Sequence, residues 1–235
     1  MGPLLGIGSC LAGNAVRYNG ESNDANDQVR AICETFETRV FCPEMAIGLG
    51  VPRQPIHLVG EEPNVRVLDV ATHQHDHTQA IQSYALQVLT ETPSLTAYIL
   101  VKGSPSCGYG NVKRFSSEGE LLATNHNGIF AAALAKADPL LPLEDDEGLT
   151  DPVKKQSFLE RAALYYQWKI LCMNGLTTEA LTAFYVRWDK SNGTARKPDD
   201  EIIKRLLQNA PTAITNDFGN DFIAALMAAH RSRPS

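Results

Sequence analysis

Three cysteines stand where the chain is about to turn. Cys10 ends the run LLGIGSC, Cys42 ends RVFC, and Cys107 sits in KGSPSCGYG directly after the apolar AYILV. Each follows a predicted strand and opens into a loop rich in Gly, Pro or Ser. Glycines and Pro105 shape such a turn tightly, and its backbone N–H groups can point inward. In open α/β sheets, sites form outside the carboxyl ends of the strands. Three parallel strands would therefore bring these distant thiols to one pocket. Three thiolates fall one short of a closed structural zinc site. An iron–sulfur cube held by three cysteines leaves one iron without a protein ligand, open to an exogenous one. There is no CxxC, so spacing alone leaves a second reading open: unrelated cysteines buried as small hydrophobes. Cys33 and Cys172 fall on apolar helix faces and are expected to be core residues of that kind.

Groups able to move protons or hold anions crowd the same stretches. Glu44, two residues past Cys42 in CPE, suits a general acid/base or a loop hydrogen bond. Arg17 and Arg53 could bind a phosphate or a carbonyl edge, and Lys102 could do so as a point charge. A surface salt bridge is the plainer role for each. Tyr18 could stack on a base or pack its loop. In THQHDHT, His73, His75 and His77 alternate as metal ligands can. The run sits just before a helix, however, which favours a turn in which Asp76 or Thr78 is the cap. GIGSCLAG lacks the third glycine of a dinucleotide fingerprint, and neither GxxxxGK[ST] nor GxSxG occurs. The zinc-deaminase pattern of HxE with PCxxC is also absent.

The elements that must position these residues follow from periodicity. Strands are predicted over residues 4–9, 39–42, 56–59, 65–70 and 95–101, with a hairpin of 112–115 and 120–123. Helices are predicted over 23–36, 78–91 and 129–137. This alternation predicts an α/β fold with a mostly parallel sheet and helices on both faces, Rossmann-like. PLLPLEDDEGLTDP reads as an acidic, proline-bearing linker. Only helical periods follow, over 153–175, 177–190, 199–210 and 219–231. In the first of these, Leu159, Ala162, Ala163, Tyr166 and Ile170 form a stripe expected to pack a core. The expected division is residues 1–142 for the α/β domain and 143–235 for a linker and all-helical extension. That extension could lid the pocket, join two copies in a homodimer, or pack on the sheet.

At 235 residues and 43% hydrophobic, the chain can bury a core without disulfide staples. Its net charge of −6 argues against duplex nucleic acid or an anionic membrane as main partner, while leaving room for a local basic pocket. Five irregularly spaced cysteines fit reduced thiols. No apolar run reaches the length of a membrane span, and MGPLLGIGSC lacks the basic start and the length of a signal peptide. A cytoplasmic location is expected.

IGSCLAGNAVRYNG, VFCPEMAIGLGVPRQPIHLV and YILVKGSPSCGYGNVKRF, in that order over residues 5 to about 140, resemble the three signature blocks of the thiouracil desulfidase family. Members hold a [4Fe-4S] cluster by three cysteines, which map by motif onto Cys10, Cys42 and Cys107. The resemblance implies a non-redox desulfuration in which substrate sulfur binds the open iron, water attacks the polarised carbon, and sulfide leaves. The implied substrate is a small thiopyrimidine: 4-thiouracil, 4-thiouridine or its monophosphate. Catalytic roles are implied for Glu44 and for Ser104, which matches a family serine near the substrate. Substrate contacts are implied for Ser9, Arg17, Tyr18, Arg53 and Lys102. The stretch from PLEDD to WKIL resembles the junction to a second helical domain in longer members, and the likeness fades after FYVRWDK. Two rival readings stand beside this one. Cys107 could be a metal-free, sulfur-carrying nucleophile. Alternatively, the chain could be a sensor or binding module whose cluster or zinc answers to oxidants.

Overall fold

The computed structural model describes residues 2–23, 25–192, 200–211 and 214–228. In chain order its elements are β1 (Leu4–Gly8), α1 (Asp27–Thr35), β2 (Glu37–Phe41), α2 (Pro43–Ala46), β3 (Ile56–Val59), β4 (Arg66–Asp69), α3 (Thr78–Glu91), β5 (Leu95–Leu100), β6 (Val112–Phe115), β7 (Leu121–His126), α4 (Ile129–Ala137) and β8 (Leu143–Asp145). A 3-10 turn, Gly148–Thr150, and helices α5 (Pro152–Asn174), α6 (Thr178–Asn192), α7 (Asp200–Gln208) and α8 (Asn216–Ala228) complete it. The chain divides into two compact units, Met1–Asp151 and Pro152–Ser235. No described helix is long and apolar enough to cross a membrane.

The expected α/β architecture is present. One sheet has the order β2-β1-β5-β8, every pair parallel. β1 and β5 are buried at every residue, as interior parallel strands must be. Asn26 caps α1 by accepting the Val29 N–H at 3.0 Å, and Val29 and Ile32 seal the inner face of that helix. A second sheet, in the order β4-β3-β6-β7, contains the expected hairpin of β6 and β7 and an antiparallel β3–β4 pair, joined by a parallel β3–β6 pair. Periodicity registers each hairpin but not the pairing between them, because that pairing joins segments distant in sequence.

The linker expectation needs correction. Residues 143–145 are not a linker but the edge strand β8, with Leu143 paired to Tyr98 and buried. The acidic run is structural. Buried Asp145 accepts the Gly148 N–H at 2.7 Å, and Asp146 accepts the Lys102 N–H at 2.7 Å. A three-residue strand directly after Pro142 is too short to show a period.

In the helical unit, Ala162 of the expected stripe is buried, but its buried companions on α5 are Phe158, Leu164, Tyr165 and Trp168. Ala163 and Ile170 are exposed, and Leu159 and Tyr166 are half-buried. Trp168 selects the face, because its ring meets Phe184 of α6 and Phe222 of α8. The expected helix start at residue 199 and helix end at 229–231 lie outside the described residues.

Candidate active site

β1 leads to β2 on one side, while β5 lies on its other side. The strand order therefore reverses at β1, and the crevice outside the carboxyl ends there is where such sheets bind ligands. A cavity of about 240 Å³ occupies that position. Ser9 and Cys10 reach it from the end of β1, Cys42 from the end of β2, and Lys102, Ser104 and Cys107 from the loop after β5. Arg17, Tyr18, Glu44 and Arg53 complete the set, so every residue singled out for the site from the sequence lines this one cavity.

Local structure explains how each sulfur is presented. Cys42 is the residue before α2, with Pro43 in the first helical position, where a missing N–H does no harm. The sequence read this segment as a loop; a single helical turn falls below the length that periodicity can detect. Cys107 is buried beneath a tight turn: its N–H reaches the Ser104 hydroxyl at 3.2 Å, and Gly108 N–H donates to the Ser104 carbonyl at 2.7 Å. A Cβ at position 108 would stand 2.7 Å from that carbonyl oxygen, so the turn requires glycine. Gly103 N–H donates to Asn111 at 2.8 Å, and Asn111 in turn donates to buried Asp145. The loop is thus anchored to β8.

The thiols share one electrostatic field. Burial, then the neighbouring Cys42, pushes Cys10 up to about 11, while the Arg17 guanidinium pulls it partly back. Burial raises Cys42 against the pull of the Met45 N–H. Cys107 is raised furthest by its burial, and the Ser104 hydroxyl opposes this only in part. The free chain therefore keeps these thiols protonated, and a cationic group that takes them as thiolates must displace the protons.

Glu44 is held from both sides. Arg53 Nε donates to its Oε2 at 2.8 Å, with Nη2 on the same oxygen, and the Ser106 hydroxyl donates to Oε1. Arg53 also donates to the Gly50 and Val16 carbonyls, both at 2.8 Å, and its Nη1 reaches the Met45 sulfur at 3.8 Å. The Arg53 guanidinium, which also lines the cavity, thus clamps Glu44. The Ser9 hydroxyl likewise accepts from Asn14 at 3.0 Å and braces its own loop. Lys102 pairs with Glu147 at the rim. Arg17 makes no ion pair among the described residues, and Tyr18 is 45% exposed. Ser106 was missed in the sequence. It is fully buried, and its hydroxyl joins Glu44 to the Ser104 hydroxyl 3.1 Å away. Its only signal was a second serine beside Cys107, which reads as a turn former.

The histidine run does not assemble a site. His73 Nε2 meets His57 Nε2 at 2.9 Å, and His75 binds Asp69 at 3.1 Å. Asp69 also accepts from the Thr72 hydroxyl, the largest of the contacts that hold its carboxyl below the usual range. Neither Asp76 nor Thr78 caps α3: His77 holds the N-cap position without a side-chain bond, and Asp76 accepts the Thr78 N–H at 2.9 Å as a turn contact before the helix. Among the described residues no three His, Cys, Asp or Glu side chains gather around a single ion.

A parallel sheet whose switch point opens on a sulfur-lined cavity, with a clamped carboxyl beside it, defines a class of cysteine-rich α/β site proteins. Comparison with known proteins makes this specific: residues 5–146 match 2-thiouracil desulfurase, and the chain belongs to that family. The uncharacterized protein YbbK of Bacillus subtilis (strain 168) is 29% identical over 140 residues, which is 57% of this chain and 91% of YbbK. A solved structure of TudS, a [4Fe-4S]-dependent thiouracil desulfidase, superposes with a TM-score of 0.51 at 26% identity. It covers 62% of this chain and 92% of TudS.

Proposed function

We propose that this chain hydrolyses the carbon–sulfur bond of a thiolated pyrimidine at a [4Fe-4S] cluster held by Cys10, Cys42 and Cys107. The substrate is 4-thiouracil, 4-thiouridine or its monophosphate. The observation that carries the reading is the meeting of three strand-end cysteines and a clamped Glu44 in one cavity. Family membership and the likeness to TudS support it. The donor set fits the group: three soft sulfurs line one cavity, with no fourth cysteine in its wall. When bound, the group supplies a Lewis-acidic iron free of protein ligands.

The reaction consumes one water and no electrons. The C=S bond becomes C=O, and sulfur departs as sulfide with the water's protons. Glu44, fixed by Arg53, accepts a proton from the attacking water. Ser106 passes the alignment of Glu44 on to Ser104, whose hydroxyl faces the cavity and hydrogen-bonds the base. Arg17 meets a carbonyl edge or a phosphate, and Tyr18 at the rim stacks on the ring. All five cysteines are free, which suits a reducing cytoplasm.

The metal-free rival asks Cys107 to be a thiolate nucleophile. Burial pushes that thiol far up, which works against it. The sensor reading predicts a cluster without turnover. Anaerobic reconstitution followed by sulfide release from 4-thiouracil and 4-thiouridine monophosphate separates these readings. Glu44→Gln should keep its iron and lose roughly a hundred- to ten-thousand-fold in turnover. Normal turnover in that variant removes Glu44 from the chemistry, and loaded wild type that releases no sulfide supports the sensor.

A further inference from the structure

We propose that two copies of this chain pair through β2, antiparallel about Thr38, and so join their parallel sheets into one. The pairing is independent of the cluster reading above. β2 is an edge strand of its sheet, and Glu37, Thr38, Arg39 and Val40 are all exposed. Edges kept single are made short, or carry Lys, Pro or a bulge. β8, at the opposite edge of the same sheet, is such a strand, three residues long and directly after Pro142. β2 has none of these devices: its sequence is ETRVF, and it pairs with β1 in unbroken register. Phe36 is extended too, at φ −116° and ψ 149°, and continues the strand backwards.

The residues of the edge select its partner. The Phe41 carbonyl accepts the Ser9 N–H at 2.7 Å, so Phe41 turns its backbone groups toward β1. That direction alternates along a strand, so Glu37 and Arg39 also face β1, while Thr38 and Val40 turn N–H and C=O groups outward. A two-fold axis at Thr38 brings these outward groups against the same groups of a second copy. In that register Glu37 lies opposite Arg39 of the second copy, twice, at the close non-hydrogen-bonded positions. Phe36 then lies opposite Val40 on the other face. Both charges are available. Glu37 makes no ion pair among the described residues. Arg39 lies over the Phe41 ring at 5.7 Å and gives only Nη1 to a hydrogen bond, with Thr92 at 3.0 Å. An axis at Phe36 or Val40 would leave neither charge an opposite, so charge fixes the register at Thr38.

The test is sedimentation equilibrium of the full-length chain over a wide range of concentration. So short a strand buries less than a standard interface, so wild type should pass from monomer to dimer as concentration rises. Glu37→Arg sets Arg against Arg at both positions and should raise the dissociation constant roughly ten-fold or more. Arg39→Glu should do the same, and the double exchange E37R/R39E should restore association, because both pairs re-form reversed. A mixture of Glu37→Cys and Arg39→Cys chains should cross-link on mild oxidation well beyond either variant alone, since facing residues of such a pair stand within disulfide reach. Wild type that stays monomeric at every concentration overturns the proposal and leaves the edge to a different strand or to none. A dimer that Glu37→Arg leaves intact overturns it too, because the contact then lies elsewhere on the chain. So does a mixture that cross-links no more than its components, or a double exchange that melts like wild type and stays dissociated.

Discussion

Two regions of the α/β unit carry side chains suited to metals, and they use them in opposite ways. In the turn between β4 and α3, three histidines alternate within a few residues, yet each is engaged locally: His73 with His57, His75 with Asp69, and His77 through its N–H with the Val67 carbonyl. At the carboxyl edge of β2, β1 and β5, the cysteines are far apart in sequence and line one cavity. Nearness along a turn scatters side chains in several directions. Parallel strands return the chain to the same edge each time, so distant residues meet. The lone cysteine on its glycine-rich turn is therefore the stronger signal for a shared site.

The largest effect should come from breaking the cysteine edge itself. Cys10→Ser, Cys42→Ser or Cys107→Ser should reduce bound iron after reconstitution from about four per chain to a small remainder. Cys33→Ser and Cys172→Ser should load like wild type. A Cys42→Ser protein with full iron would break the contrast. A smaller effect belongs to the hydrogen bonds behind that edge. Ser106→Ala removes the bridge between Glu44 and Ser104, and hydrogen bonds to charged groups are worth about 1.5–3 kcal/mol. Turnover should fall roughly ten- to a hundred-fold with iron content and KM little changed, and Ser106→Thr should recover part of it. A fall in iron content equal to the fall in kcat would place Ser106 in folding instead. The smallest effect is expected at the histidine turn. His75→Ala removes a partner of Asp69 whose side chain is 73% exposed. Iron content and turnover should stay within about two-fold, and the stability change should lie within about 1 kcal/mol. A loss of iron in this variant would mean that the two regions are coupled.

The helical unit adds a contrast in legibility. The sequence reading placed all four helices, yet the buried face of α5 was misread, because Ala and Leu also populate its outer sides and the deciding partners of Trp168 lie on α6 and α8. At the site, the positions of Cys10, Cys42, Cys107, Glu44 and Ser104 followed from strand ends and signature blocks. The engagement of Arg53 with Glu44, and the place of Ser106 between Glu44 and Ser104, did not.

The apolar strands, the turns that follow them and the thiols on those turns are written in the linear chain. These depend on local composition and short-range sterics, which a linear reading contains. Contacts between distant segments set the rest: β8 pairs along the edge of β5, Arg53 holds Glu44, and the Tyr98 ring lies over Gly6. Each of these is a pairing between distant segments. Its partner is selected by packing and hydrogen-bond geometry that exist only once the strands are side by side.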